Sequence, residues 1–133
     1  MKIEIIQINE NLIIPTQANI GDAGFDCYSV IDFELKPNES KLIPLGFGLN
    51  LSYGYMATLR PRSSMNAKGI ITQIGTIDSG YRGEIKAMFI NSSLTTYKFS
   101  KGDKICQIII QEIPETELFI NTRGEKGFGS SGR

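Results

Sequence analysis

The chain has 133 residues, enough for one domain around a single core. Its 14 basic and 14 acidic residues cancel, so it lacks the global basic field of a nucleic-acid binder, and no apolar run approaches a membrane span. It has no histidine and two cysteines, which removes His-based triads, most zinc sites and the commonest general base; acid–base chemistry must run on Asp, Glu, Lys or Tyr.

Residues 2–8 alternate apolar and polar side chains in M-K-I-E-I-I-Q-I. They read as a strand, not as the charged head and apolar body of an export signal, and the expected compartment is the cytoplasm. A short run follows at 24–30, and Pro37 and Asn38 mark a tight turn. Leu45, Phe47, Leu49 and Leu51 recur at period two, the pattern of a strand with one buried face. Gly54 precedes another strand, Y-M-A-T-L-R, and the single helical candidate is a turn or two near Ser64–Lys68. Ile70, Ile71 and Ile74 lead into a turn at Asp78. Residues 84–90 and 104–113 supply two more apolar strands with a polar stretch between them, and E-L-F-I at 117–120 supplies a last one. Many short strands with closely spaced turn signals predict an all-β sandwich or barrel. Cys27 and Cys106 each lie in an apolar stretch and are expected to be small buried hydrophobes. The end differs: 121–133, N-T-R-G-E-K-G-F-G-S-S-G-R, frames Phe128 with glycines and reads as a flexible arm after a β-rich domain at 1–120.

Five polar, glycine-containing segments interrupt the strands. The most informative is G-T-I-D-S-G-Y-R-G-E-I-K at 75–86, where Asp78 and Tyr81 share a turn. A carboxylate there can take a proton from water, and a ring beside it can floor a pocket. An isolated D-S-G is a plain turn, and Tyr81 and Lys86 taken singly are an ordinary cross-strand ring and a solvated lysine. In R-P-R-S-S-M-N-A-K-G, 60–69, Pro61 stiffens a strand exit, Arg62 offers a planar donor fork, and Ser63 and Ser64 add hydroxyls. This is a phosphate cradle or, equally, a surface arginine with a serine cap on the helix that follows. The remaining segments are G-D-A-G-F-D at 21–26, K-G-D-K-I-C-Q at 101–107 and the arm.

In this order and spacing the five segments resemble the five motifs of the trimeric deoxyuridine triphosphatases (dUTPases), from residue 21 to residue 132. The resemblance implies an all-β, jelly-roll-like distorted barrel (β-clip) with at most one short helix. It also implies a homotrimer whose sites take the first, second and fourth motifs from one chain, the third from a neighbour and the arm from the remaining one. The implied activity is that of a dUTP diphosphatase: Asp78 deprotonates a water that attacks the α-phosphorus in line, releasing pyrophosphate and dUMP. By the same resemblance Arg62, Ser63, Ser64 and Gln107 hold the phosphate chain, joined from the arm by Arg123, Gly129, Ser130 and Ser131. Thr76 and Ile77 present backbone groups to the base, Tyr81 packs under the deoxyribose, Lys86 closes the pocket and Phe128 stacks on the pyrimidine. Asp26 acts through water on a magnesium ion, which needs few protein ligands; Asp22 holds its own turn. The partners expected are dUTP and two further copies of the chain, with neither nucleic acid nor membrane.

The sequence departs from that pattern in two places. The hairpin that reads the uracil edge is a few residues short, G-I-I-T-Q-I-G, with Thr72 or Gln73 where the family often has Asn. The second motif has S-S where the family more often has S-G. A dCTP deaminase shares the fold but needs a catalytic Glu where this chain has Met88, whose thioether cannot shuttle protons. A nucleotide-gated regulatory protein on the same fold is the rival from another class.

Overall fold

The computed structural model describes residues 1–122. Eleven strands and one short helix occupy them, and every strand pair is antiparallel. The strands are β1 (Glu4–Gln7), β2 (Phe25–Tyr28), β3 (Phe33–Leu35), β4 (Ser40–Pro44), β5 (Phe47–Asn50) and β6 (Tyr55–Arg60). After helix α1 (Ser63–Ala67) come β7 (Ile70–Thr72), β8 (Gly75–Ile77), β9 (Lys86–Asn91), β10 (Tyr97–Phe99) and β11 (Lys104–Glu112). They build a four-stranded sheet in the order β2-β11-β6-β8, a three-stranded sheet β4-β9-β7, and the pairs β1-β5 and β3-β10. The all-β expectation holds, with a single short helix among the described residues.

One hydrophobic cluster joins these sheets. Phe47, Phe89, Leu35 and Ile105 are fully buried in it, each contributing about 1.5–3 kcal/mol by leaving water. Phe33 stacks on its cross-strand partner Phe99 with ring centroids 4.8 Å apart and on Phe89 of β9 at 6.2 Å, and the second stack anchors the β3-β10 pair to the rest. Asn38 takes the left-handed conformation (φ 64°) that the tight turn between β3 and β4 requires.

Asn91 is the most deeply buried of the polar residues beside this core. Its side-chain amide donates to the Leu35 carbonyl (2.9 Å) and the Thr95 carbonyl (2.7 Å), and its Oδ1 accepts from the Ser93 amide (2.9 Å). Asn91→Ala removes this donor from the buried Leu35 carbonyl, while the Thr95 carbonyl keeps the Ser93 hydroxyl (3.1 Å), and urea denaturation is expected to show a loss of about 1–3 kcal/mol.

Three sequence expectations change. The strand carrying Leu45, Phe47 and Leu49 is buried on both faces, because Gly46 lies against Val30, Asn9 and Leu12 and Gly48 leaves room for the backbone of Arg82 and Gly83. The polar stretch before residue 104 contains β10, a strand that its composition does not announce. Residues 117–120 form no strand: no partner strand lies beside them among the described residues, and Leu118, Phe119 and Ile120 are 92%, 85% and 84% exposed.

Cys27 and Cys106 are buried, as expected, and sit opposite one another across β2 and β11. The hydrogen bond to Cys106, followed by burial, holds the Cys27 thiol well above the ordinary thiol pKa. The folded state thus keeps a proton that the unfolded chain loses. The stabilisation is whole below the unfolded thiol pKa of about 8.5 and declines as pH rises beyond it. Urea midpoints are therefore expected to stay level through neutral pH and fall in the alkaline range, with a shallower fall in Cys27→Ala. In native protein neither thiol should react with a disulfide reagent that labels both in urea.

Candidate active site

Asp26 lies on β2, directly opposite Gln107 of β11, which in turn lies opposite Arg60 at the end of β6. The chain leaves β6 through Pro61 and enters α1 at Arg62, so one sheet end gathers the first, second and fourth polar segments. Asp26, Arg62, Ser63 and Gln107 line a polar recess of about 360 Å³ there. The Asp26 carboxylate is 18% exposed and forms ion pairs with two cations, Arg62 Nε at 3.3 Å and Lys104 Nζ at 3.6 Å. Arg62 also donates to Ser64 Oγ (3.2 Å) and to the Lys104 carbonyl (3.4 Å). Its guanidinium is thus aimed before any ligand arrives. Arg62 itself is the helix N-cap and makes no capping side-chain bond, so the serine-cap reading does not hold.

Gln107 donates from Nε2 to the Pro61 carbonyl (3.0 Å), which turns Oε1 toward Gly24. A Cβ at residue 24 would collide with that oxygen, so glycine is what lets the amide sit there. Asp22 does hold its own turn, accepting from the Asn19 amide at 2.9 Å.

Lys104 is a site residue the sequence reading missed. Strict alternation puts residues 104 and 107 on opposite faces of β11. A bulge between Lys104 and Cys106 resets the phase, so Lys104 and Gln107 both face the recess while Cys106 faces the core.

A second recess, also about 360 Å³, contains Thr76, Ile77, Asp78, Tyr81 and Lys86. Pairing to β6 at Ala57, Thr58 and Leu59 fixes β8, and β8 delivers Asp78 to the recess edge as an exposed carboxylate. The Tyr81 amide donates to the Asp78 carbonyl (3.0 Å), closing the turn, and the Tyr81 hydroxyl donates to the Glu84 carbonyl (2.7 Å). Because β8 ends the sheet order, its outer backbone edge is unpaired among the described residues.

The expected hairpin around Thr72 takes a different form. β7 pairs with β9 and β8 with β6, so Gln73 and Ile74 cross between two sheets instead of capping one ladder. Thr72 does not reach the recess. It is buried on β7, and its Oγ1 has no hydrogen-bond partner among the described residues. Alternation along β7 turns Thr72 inward and Ile71 outward. Arg123, Phe128, Gly129, Ser130 and Ser131 lie outside the described residues.

A third cavity, of about 320 Å³, has an apolar wall of Ile3, Ile5, Phe25 and Phe47 and is lined by no Asp, Glu, Lys or Tyr among the described residues. No group of three or more His, Cys, Asp or Glu residues capable of holding a metal occurs among the described residues. No helix there is long and apolar enough to cross a membrane.

Comparison with known proteins agrees with this geometry. The dUTPase family model matches residues 10–132. A deoxyuridine 5'-triphosphate nucleotidohydrolase of Clostridium novyi (strain NT) is 45% identical over 141 aligned positions, covering 99% of this chain and 99% of the relative. One from Nautilia profundicola is 41% identical over 142, covering 100% of each. Both alignments are longer than this chain, so both relatives carry residues that it lacks. Among solved structures, the dUTPase of phage phi11 of S. aureus shares the fold, with a TM-score of 0.86 at 23% identity over 92% of this chain and 97% of that one. A dUTPase of phage 80alpha superposes with a TM-score of 0.86 at 26% identity, over 97% and 98% of the two chains. The chain belongs to the dUTPase family.

Proposed function

We propose that the protein hydrolyses dUTP to dUMP and pyrophosphate, with Asp78 as the base that activates the attacking water. One observation carries this reading: Asp78 is an exposed carboxylate at the edge of a recess, on a turn whose backbone is tied to β8 and to Tyr81. An acceptor held in that way can orient a water and take its proton as the water attacks the α-phosphorus. The open edge of β8 offers backbone groups at Thr76 and Ile77 to the pyrimidine. Tyr81 packs under the sugar and rejects a 2′-hydroxyl by clash. Lys86 closes the same recess, and Arg62, Ser63, Ser64 and Gln107 take the phosphates through charge-assisted bonds.

The polar recess suits magnesium. Asp26 supplies a hard, partly exposed oxygen donor whose two oxygens already face cations, so it would hold the ion through water and not directly. Bound there, Mg²⁺ supplies charge neutralisation on the triphosphate and the departing pyrophosphate. The phage phi11 dUTPase coordinates a structural Mg(II) ion, which supports the metal as one this fold accepts.

The working unit is a homotrimer. The phosphate and nucleoside recesses share no lining residue among the described ones, which supports sites completed by different subunits. Leu42, Met88, Ile90 and Ile71 share one face of the β4-β9-β7 sheet by register, and Leu42 and Ile71 are 52% and 51% exposed. Lys86 belongs to that face too, so an apolar patch suited to a second copy runs into the nucleoside recess. The arm, 121–133, then closes over the bound triphosphate, with Arg123, Gly129, Ser130 and Ser131 on the phosphates and Phe128 on the base.

Pyrophosphate release measured across dUTP, dTTP, dCTP and UTP with magnesium tests the reading. Turnover of dUTP far above the others is expected. Ammonia release from dCTP, or no pyrophosphate from any of the four, would overturn it. A second reading, a nucleotide-gated protein that captures a partner, draws on the phage 80alpha dUTPases, described as controlling transfer of virulence genes by a G protein-like mechanism. Removing residues 121–133 separates the two: loss of hydrolysis alone favours the enzyme, and loss of partner capture favours the switch.

A further inference from the structure

The segment from Asp78 to Ile85 is seated on β5 by contacts that the chemistry above does not use. At its far end the Ile85 amide donates to the Phe47 carbonyl (2.8 Å), and the Leu45 amide donates to the Ile85 carbonyl (3.1 Å). One residue earlier, Glu84 Oε2 accepts from the Gly46 amide (3.2 Å), so a side chain from the loop completes the backbone pairing of the strand it lies on. The neighbouring cation, Arg82, is directed elsewhere, to the Ser79 carbonyl.

Two glycines set the spacing. A Cβ on Gly48 would lie 2.6 Å from the Gly83 carbonyl oxygen and 2.7 Å from that of Arg82, both backbone atoms with little freedom to move. A Cβ on Gly83 would lie 2.7 Å from the Tyr81 hydroxyl oxygen. The loop therefore rests directly on β5, and the Tyr81 ring rests directly on the loop. The ring's own hydroxyl is tied to the Glu84 carbonyl, so the height of the ring follows residue 84.

We infer that Glu84, seated on the Gly46 amide at the entry to β5, is a positioning residue that sets the Tyr81 ring in the nucleoside recess and thereby the discrimination between deoxyribose and ribose. The inference rests on the reading of that recess as a nucleoside site. Steric rejection of a hydroxyl needs a wall that does not yield, and beyond the two Ile85 backbone bonds this wall stands on one carboxylate–amide bond and two glycine contacts. Asp78 is held from the other end, by the pairing of β8 with β6. Loosening residue 84 moves the sugar wall more than it moves the base.

The chemistry of the side chain separates a positioning role from a charge effect. Glutamine keeps an oxygen that can accept the Gly46 amide hydrogen, whereas alanine does not. In Glu84→Ala the ratio of kcat/KM for dUTP to that for UTP is expected to fall by about tenfold or more, through a raised KM for dUTP and a gain with UTP, with kcat for dUTP falling less. Glu84→Gln should keep the ratio within about twofold of wild type. Gly48→Ala, which pushes the loop from below, should lower the ratio as Glu84→Ala does and serves if that variant fails to fold. In the free protein the ring resonances of Tyr81 should shift in Glu84→Ala and stay in place in Glu84→Gln, a readout that needs no substrate. Folded Glu84→Ala or Gly48→Ala protein with an unchanged ratio and unmoved Tyr81 resonances overturns the inference, as does a loss in Glu84→Gln equal to that in Glu84→Ala. Wild-type protein that leaves dUTP intact overturns the function itself, while the resonance shifts still decide whether Glu84 positions the ring.

Discussion

Asp78→Asn is expected to lower kcat for dUTP by a factor of about 10²–10⁴, with binding of a non-hydrolysable dUTP analogue kept within about threefold. Asparagine has the shape of aspartate and keeps an oxygen that can orient water, but it cannot accept the proton as the water attacks. The turn itself does not depend on the carboxylate. Its closing bond runs from the Tyr81 amide to the backbone carbonyl of residue 78, and the side chain is exposed. A surface substitution of this kind shifts stability by no more than about 0.5 kcal/mol, whereas the predicted rate loss corresponds to about 3–5 kcal/mol of activation free energy. A large kcat effect in a variant with wild-type thermal stability therefore reports chemistry and not unfolding. Normal turnover by Asp78→Asn would remove this residue from the mechanism.

Local pattern in the sequence went far toward the fold, and it stopped where pairing between distant segments takes over. Period two located the strand through Phe47 and Leu49, because alternation needs only near neighbours. It could not reveal that Gly48 between them receives the backbone of Arg82 and Gly83, since that contact joins distant segments of the chain. The four-residue apolar run at 117–120 looked like a strand because propensity is local, yet a strand exists only with a partner, and none among the described residues pairs with it. The site divided along the same line. Asp78, Tyr81 and Lys86 share one continuous segment and were legible together. The meeting of Asp26, Arg62 and Gln107 depends on the order β2-β11-β6, which no single segment encodes, and it was reached through the resemblance of the whole ordered set. Lys104 was hidden by its own strand: alternation assigns it to the wrong face, and only the bulge at Cys106 brings it round. Thr72 failed in the opposite sense, being chosen for its place in a motif although its side chain turns into the core.

Arg62→Ala is expected to lower kcat/KM for dUTP by about 10²–10³, the scale for deleting one aimed donor to developing negative charge, about 2.7–4 kcal/mol. The structure gives reason to expect this without collapse of the site. Asp26 loses one of two cations and keeps Lys104 at 3.6 Å, so it is not stranded as an unpaired carboxylate. With Asp26 18% exposed and Arg62 29% exposed, the stability cost should stay near about 1 kcal/mol, the upper range for ion pairs open to solvent. Arg62→Lys tests whether charge or geometry matters. A lysine is a point charge on a flexible stem. It cannot hold Asp26 through one nitrogen and Ser64 through another as the planar fork does at 3.3 and 3.2 Å. It should recover about tenfold at most, the part owed to unaimed charge. If Arg62 serves the phosphate chain, the loss should be large for dUTP, smaller for dUDP and nearly absent in the binding of dUMP, and competition by free pyrophosphate should weaken in step. An equal loss of affinity for dUMP and dUTP would move Arg62 away from the triphosphate tail and leave the polar recess between β2 and α1 without its assigned ligand.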